Sequence, residues 1–474
     1  MGVHPDQVIS VAREHIRDLE AEAAARRAVR RATGSTHGRS LWRHEDFVRL
    51  WTAESVSRLG SQVSLLALPL IAITLLNAST FQVGLLSTME FLPFVLVGLP
   101  AGVWVDRLRR RPVLIAGDLG RALALASIPL AYALGVLGIG QLYAVGFATG
   151  ALTVFFDVAY QSYLPRLVEP DRLVDGNAKL EISSSGASIA GPGLAGALIQ
   201  LVTAPAAVLV DAASFLASAA FIGRIRRREP PPSRPVAGAP GMRREIAEGL
   251  RYVLGHRLLR WTAATTATFN LFSAMTSAVL VLYLVRHFGM SAGLIGLVLS
   301  VGNAGWLAGA LLAGRLAALA GIGRMTVGAT ALCGLGALLV PAAPAAAPIP
   351  WLVAAQFLVS FGSTTYNIGQ VSIRQAITPP RLHGRMNATM RFMVWGTMPV
   401  GAALGGAVGG AIGLRPTIWI AATASLLAVV PVLASRMWAI GSVDAAIARF
   451  SPAEAPVGAG AEASGPPGVG NSLL

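Results

Sequence analysis

The most regular feature of this 474-residue chain is a series of long apolar stretches separated by short polar gaps. Each stretch is close to the roughly 20 residues that a helix needs to cross the hydrocarbon core of a bilayer. A membrane β-barrel would instead show alternating segments of about ten residues. The pattern therefore predicts an all-α polytopic membrane protein with twelve transmembrane helices. The predicted spans are 47–76, 81–104, 113–137, 140–163, 177–201, 205–223, 259–286, 291–318, 324–343, 350–372, 386–412 and 416–436.

The polar segments divide the chain into five predicted regions. The longest internal gap begins with an arginine run, continues through several prolines and ends in a predicted helix over 242–254. Such a linker between two six-helix bundles is typical of transporters with two pseudo-symmetric halves. The predicted regions are a cytosolic amphipathic helix and linker (1–45), an N-terminal bundle (46–223), a cytosolic linker (224–258), a C-terminal bundle (259–436) and a largely disordered cytosolic tail (437–474).

Charge is scarce and unevenly distributed along the chain. Only 13% of the residues are charged, against about 25% in a soluble protein. The net charge of +15 comes from arginines concentrated in every second gap, which argues against nucleic-acid binding. Because Lys and Arg in short loops stay in the cytoplasm, we expect a multi-pass protein of the plasma membrane with both termini cytoplasmic.

Several chemistries have no support in the sequence. The single cysteine, Cys333, lies in an apolar stretch, and the seven histidines are scattered. No disulfide or metal site is therefore expected. The sequence also lacks a glycine-rich phosphate loop of the Gly-x-x-x-x-Gly-Lys-Ser/Thr type, so nothing in it supports transport driven by ATP hydrolysis. We expect no cofactor and no enzymatic activity.

The carboxylates within the apolar stretches are candidates for proton coupling, because each costs about 2.5–3.5 kcal/mol to insert. None occurs between Glu248 and Asp444, so a coupling carboxylate must lie in the first half. Glu90 falls near the middle of the second span, where a buried carboxyl group can exchange a proton near neutral pH. A neutral, hydrogen-bonded Glu90 is the alternative. The candidates are Glu90, Glu54, Asp157 and Asp211.

The loop after the second span carries a recognisable motif, Gly-x-x-x-Asp-Arg-x-x-Arg-Arg. It resembles the loop signature of the major facilitator superfamily, except that Arg109 stands where Gly is common. The resemblance implies a gate in which the motif aspartate interacts with the end of the eleventh span; arginines that only mark topology are the alternative. The motif residues are Gly102, Asp106, Arg107, Arg110 and Arg111, and the expected charge cluster adds Asp118, Arg121 and Arg391.

The fifth span contains a second motif, with Gly186, Gly191, Pro192 and Gly196. It resembles the glycine-proline motif of exporters in the same superfamily, and the whole chain is similar to the branch with macrolide-efflux and enterobactin-exporting proteins. The glycines offer a flat face for close helix packing, and Pro192 removes a backbone hydrogen bond and is expected to kink the span. Packing and flexing roles both remain open.

These features predict a secondary transporter that exports an amphipathic drug or secondary metabolite against proton entry, by alternating access. An importer or facilitator of a metabolite or siderophore with the same fold is the main alternative, and a non-transporting scaffold is a third. The expected partners are a small-molecule substrate, protons and the bilayer, with a monomeric chain. Candidate cavity residues are Arg58, Gln62, Asn270, Asn303, Gln356 and Asn367.

Overall fold

The computed structural model describes residues 41–169, 172–227, 229, 242–379 and 382–450. The helix predicted near the N-terminus lies outside these residues. Of the tail predicted as largely disordered, 437–474, the structure describes 437–450, and this part is folded, with a helix at Val443–Phe450; the rest lies outside the described residues. All regular elements in the described part of the chain are helices.

The helices follow the predicted spans, which we number one to twelve. Ten of the described helical segments are long and apolar enough to cross a bilayer. The other two spans are span two, which is interrupted, and span ten, which carries several polar side chains. The observed bounds are Glu45–Leu70 with a π-helical end Ile71–Leu75 (one), Thr80–Leu96 and Gly98–Asp106 (two), Arg110–Ala133 (three), Ile139–Leu167 (four), Leu173–Val202 (five), Ala204–Gly223 (six), Arg257–Phe288 (seven), Ala292–Ala320 (eight), Ile322–Ala342 (nine), Pro348–Ile377 (ten), His383–Trp395 and Thr397–Ile412 (eleven), and Leu414–Ser425 with Val429–Ala434 (twelve). A linker helix, Met242–Gly255, and a C-terminal helix, Val443–Phe450, complete the set.

Spans two and eleven were each predicted as one continuous helix, and both are interrupted. The breaks follow Leu96 and Trp395. Leu96 and Trp395 each lie four residues before a proline, Pro100 and Pro399 respectively. Because proline has no N–H, it cannot donate the helical hydrogen bond to the carbonyl of Leu96 or Trp395. Pro192 has no such effect, since the helix of span five continues through it.

The twelve spans form two six-helix bundles that meet along two seams. Span two packs against span eleven, and span five packs against span eight. Glycines let the backbones touch at both seams. A Cβ at Gly84 would lie 2.3 Å from the Cα of Gly406, and one at Gly196 would lie 3.0 Å from the Cα of Gly296. Larger residues at these points would force the halves apart.

The buried apolar side chains distinguish the two ends of the molecule. We call the end with the loops at 107–109, 224–229 and 378–382 the basic end. Here each half has its own apolar cluster. At the opposite end a single cluster contains residues of both halves, such as Leu86 and Val279. The halves thus share one apolar core at the opposite end, whereas each keeps its own at the basic end.

Candidate functional site

A polar cavity of about 240 Å³ lies within the first half, between spans one, three, four and five. It continues toward the basic end into a wider mouth that Tyr160 and Glu181 line. We call both parts together the charged cavity. Its inner lining consists of Glu54, Ser57, Arg58, Ser61, Gln62, Arg121, Thr153, Phe156, Asp157, Ser184, Ala187 and Ser188.

Glu54 and Arg58 form an ion pair in this cavity. The Nε of Arg58 lies 2.5 Å from Oε1 of Glu54, as the spacing of four residues allows. Glu54 is buried, whereas the Arg58 side chain is 47% exposed. The carboxylate is thus shielded, and its partner reaches into the open part of the cavity.

Asp118 and Arg121 form a second ion pair behind the cavity wall, with 2.6 Å between Nη2 and Oδ1. Both side chains are buried, and the Arg121 guanidinium lies between the rings of Phe156 and Phe215, at 4.3 and 4.1 Å from their centroids. The sequence grouped this pair with Asp106 at the basic end. The structure places Arg121 at the wall of the charged cavity with Asp118 behind it. The side chain of Asp106 lies outside the described residues, so the cluster with Asp106 stays a prediction.

Asp157 faces the same cavity without a direct partner. It makes no ion pair or hydrogen bond within the part of the chain that the structure describes. It is close enough to Arg58, Arg121 and Arg391 for electrostatic interaction. Because Arg58 and Arg121 already hold Glu54 and Asp118, Asp157 is left as a carboxylate open to a ligand.

The other two candidate carboxylates lie away from the cavity. Asp211 is buried between spans one and six, where it accepts hydrogen bonds from Ser64 and, at 3.1 Å, from Ser214. Glu90 is half-buried and packs against Gly146 of span four. A Cβ added to Gly146 would lie 3.2 Å from the Cγ of Glu90. Neither residue lines the cavities described in this section.

The loop motif holds the linker to the first half. The N–H groups of Arg110 and Arg111 donate to the carboxylate of Glu229, at 3.0 and 3.3 Å, so Glu229 caps the N-terminus of span three. The Arg111 guanidinium also donates to the Ile222 and Gly223 carbonyls at the end of span six. Arg107 and Arg109 are exposed, and Gly102 has open space around it. The role of Glu229 could not be predicted from the local sequence, because Glu229 lies in the linker, more than a hundred residues from span three.

The span-five motif contacts span one of its own half and span eight of the other half. Gly191 packs on Gln62 of span one, while Gly196 forms the seam with span eight. Because Pro192 lacks an N–H, the carbonyl of Ser188 one turn earlier has no helical donor. Asn303 of span eight supplies one, with 2.8 Å between Nδ2 and that oxygen. The motif proline thus creates an acceptor that the second half uses.

A cavity of about 230 Å³ lies within the second half and contains no charged side chain. We call it the neutral cavity. Phe269, Phe272 and Trp306 line it together with serines and Gln356, which donates to Asn303 at 2.9 Å. Among the other predicted cavity residues, Asn270 donates to the Val394 carbonyl and Asn367 is exposed; neither lines the cavities described here.

A third space of about 300 Å³ lies between the halves, bounded by spans two, four and eleven. We call it the interface cavity. The rings of Phe94 and Trp395 approach to 5.1 Å across it, and the Arg391 guanidinium lies 5.3 Å from the centroid of Trp395. Val154 and Val158, which flank Asp157 on span four, also line it. Charged and aromatic surfaces therefore meet at one turn of span four.

Sequence reasoning missed the hydroxyl groups of the charged cavity. Ser57 and Ser61 of span one and Ser184 and Ser188 of span five all line it. Each pair is four residues apart, which places both hydroxyls on one helix face. That spacing is a usable signal for a polar lining inside an otherwise apolar helix.

Family comparison accounts for the arrangement of two bundles around these cavities. The model of the Major Facilitator Superfamily matches residues 50–344 and, in a second overlapping match, 264–459. The chain belongs to the Major Facilitator Superfamily. It is therefore a multi-pass membrane transporter, of a family whose members carry small molecules across the bilayer.

Individual members of this superfamily resemble the chain over most of their length. The multidrug efflux pump Tap of Mycolicibacterium fortuitum is 28% identical over 400 residues, which cover 80% of this chain and 93% of Tap. The uncharacterised transporter YfiS of Bacillus subtilis is 25% identical, with 77% and 87% coverage.

Solved structures of the superfamily confirm the fold. A bacterial homologue of the iron transporter ferroportin, in its inward-facing state, superposes with a TM-score of 0.69 at 17% identity, over 83% of this chain and 99% of the homologue. The nucleoside transporter NupG gives a TM-score of 0.67 at 13% identity, over 82% and 99%. At these identities the likeness concerns the fold alone.

Proposed function

We propose that this transporter is a proton-coupled exporter of amphipathic organic compounds. The two six-helix halves alternate access to the cavities between and within them. The basic end faces the cytoplasm, together with both termini, and the protein lies in the plasma membrane. The similarity to the multidrug efflux pump Tap and the glycine-proline motif of span five support export.

One observation carries the proposal: carboxylates line a cavity that is open at the basic end and closed at the other. The shared apolar cluster closes the opposite end. The charged cavity therefore receives compounds from the side that the basic loops face. A carboxylate at its wall can bind a proton or a substrate group, and competition between the two couples their movements.

Glu54 and Asp157 are best placed for proton coupling, because both line the charged cavity. Protonation of Glu54 would release Arg58 from its ion pair and change the charge of the cavity wall. Glu90 and Asp211 are the other candidates, and both lie behind helix contacts. We therefore rank Glu54 above Glu90 as the coupling residue.

Transport by purified protein in liposomes tests both parts of the proposal. Ethidium, chloramphenicol and carboxyfluorescein serve as cationic, neutral and anionic probes under an imposed pH gradient. We expect the wild-type protein to move at least one probe against its gradient, in the direction opposite to proton flow. Glu54→Gln should abolish this dependence on the gradient, whereas Glu90→Gln should keep it.

The outcomes separate the alternatives. Loss of coupling in Glu90→Gln with retention in Glu54→Gln would assign coupling to Glu90. Accumulation of a probe along the proton flow would identify an importer. If the pH gradient has no effect on any probe in the wild-type protein, proton-coupled export is wrong.

A further inference from the structure

We propose that the transported compounds are organic cations and that Asp157 receives their positive charge. The inference rests on the proposed function, since it assumes that the charged cavity holds the substrate. It adds the chemical class of the substrate and the residue that selects it.

The charges around the cavity are not balanced. Two arginines are held by direct ion pairs, Arg58 with Glu54 and Arg121 with Asp118. Asp157 has no such partner within the described residues, and neither does Glu181, which is exposed at the mouth. To a compound entering from the basic end, two carboxylates therefore present negative charge that no direct ion pair within the described residues neutralises. A positively charged compound is attracted there, and an anion is repelled.

Charged side chains from three other spans interact electrostatically with Asp157. Arg58 comes from span one, Arg121 from span three, and Arg391 from span eleven of the other half. Glu54 and the Tyr160 hydroxyl also interact with it. Only Arg391 among the three arginines makes no ion pair in the described structure. We infer that Arg391 is the resident counter-ion of Asp157, which a substrate cation replaces.

The surroundings suit the apolar part of such a compound. Asp157 lies between Val154 and Val158, whose side chains line the interface cavity. Phe94 and Trp395 on the far wall provide aromatic faces. Aromatic rings attract organic cations through their negative faces. An amphipathic cation can thus place its charge at Asp157 and its apolar body among these rings.

Two probes of equal shape and opposite charge test the inference directly. Tetraphenylphosphonium and tetraphenylborate differ in the sign of their charge, not in their apolar surface. Equilibrium binding to the full-length protein in nanodiscs is measured without any pH gradient, and empty nanodiscs correct for partitioning. We expect specific binding of tetraphenylphosphonium only. Asp157→Asn should weaken this binding about tenfold, as loss of one charge contact at a partly desolvated site does.

Three further variants show whether the charge of Asp157, and not another property of its side chain, determines cation binding. Asp157→Glu should restore most of the affinity, and Arg391→Gln should raise the affinity severalfold because the competing cation is gone. Asp175→Asn, which alters an exposed ion pair with Lys179 outside the cavity, is the matched control and should have no effect. Thermal unfolding shows whether each variant is folded. If Asp157→Asn loses binding because it unfolds, the increase in affinity expected of Arg391→Gln still tests the inference.

The inference is wrong if tetraphenylborate is preferred, or if both probes or neither bind specifically. It is also wrong if folded Asp157→Asn binds tetraphenylphosphonium like the wild type, or if Arg391→Gln binds it more weakly. Failure of the proposed function looks different. If cation binding depends on Asp157 but the pH gradient drives no transport, proton coupling is wrong and the assignment of substrate class stands.

Discussion

The two halves have the same helical arrangement but different polar chemistry inside. The cavity of the first half has one ion pair in its lining, a second in its wall, and a carboxylate, Asp157, that makes no direct ion pair within the described residues. The cavity of the second half is lined by aromatic rings, hydroxyls and the amide of Gln356, and no Asp or Glu occurs between Glu248 and Asp444. A carboxylate changes its charge when it binds a proton, and an amide does not. In this molecule only the first half can respond to protons through carboxylates.

The difference also predicts how each half tolerates mutation. Removing one member of a buried ion pair leaves an uncompensated charge in a poorly solvated place. Removing one member of a neutral hydrogen-bonded pair in a membrane protein costs much less, about 0.6 kcal/mol on average. Substitution of a buried charged residue in the first half should therefore lower the free energy of unfolding strongly, and substitution of an amide residue in the second half should lower it only slightly.

The largest expected effect is at Asp118. Asp118→Ala should lower the free energy of unfolding by about 3–5 kcal/mol, because Arg121 would remain buried between Phe156 and Phe215 without its anion. Unfolding in detergent by heat and by denaturant measures the change. The double variant Asp118→Leu/Arg121→Met should recover much of the loss, because it removes both charges together.

An exposed ion pair of similar spacing provides the control for this prediction. Asp175 and Lys179 lie at the start of span five, and the Asp175 side chain is 48% exposed. Asp175→Ala should cost no more than about 0.5 kcal/mol. Equal effects of Asp118→Ala and Asp175→Ala would contradict the idea that burial makes the charges of the first half fragile.

An intermediate effect is expected where the two halves meet. In Gly196→Val the new Cβ would lie 2.4 Å from the Ala292 carbonyl oxygen, so the seam of spans five and eight cannot close as it does here. Overpacking of this kind costs about 1–3 kcal/mol. Such a shift between two states changes their ratio by roughly 5- to 150-fold. Transport rates in liposomes should fall accordingly.

The same motif supplies a control for the seam. Gly186 has no atom within 4 Å of a Cβ built on it, so Gly186→Val should leave transport and unfolding nearly unchanged. If Gly186→Val impairs transport as much as Gly196→Val, the motif glycines act through helix flexibility and not through the seam.

The sequence predicted local features well and distant contacts poorly. The twelve spans follow from hydropathy. The pairs Glu54–Arg58 and Asp118–Arg121 have the spacing of four and three residues that brings two side chains together on one helix face. The placement of the second pair beside the charged cavity did not follow. In a bilayer the lipid-facing and packed faces of a helix are both apolar, so hydropathy does not show which way a helix is rotated.

Residues that act through distant backbone groups were also missed. Glu229 caps span three from a linker more than a hundred residues away. The interruptions of spans two and eleven depend on Pro100 and Pro399, which look like many other prolines of membrane helices. Nothing in the local sequence separates them from Pro192, which leaves its helix continuous and whose freed carbonyl accepts a hydrogen bond from the other half.

The smallest expected effect is at Asn303, which donates a hydrogen bond to the carbonyl that Pro192 frees, and it tests the contrast between the halves. Asn303→Ala should cost about 0.6–1.7 kcal/mol of unfolding free energy, since a neutral hydrogen bond to the Ser188 carbonyl is lost. In Pro192→Ala the residue at 192 regains an N–H, so the Ser188 carbonyl has a helical donor again. Asn303→Ala should then cost less in the Pro192→Ala background than in the wild type. Additive effects of the two substitutions, measured by a double-mutant cycle in detergent, would show that Asn303 stabilises the molecule through its bonds with Gln356 and Ser360 and not through the carbonyl that Pro192 frees.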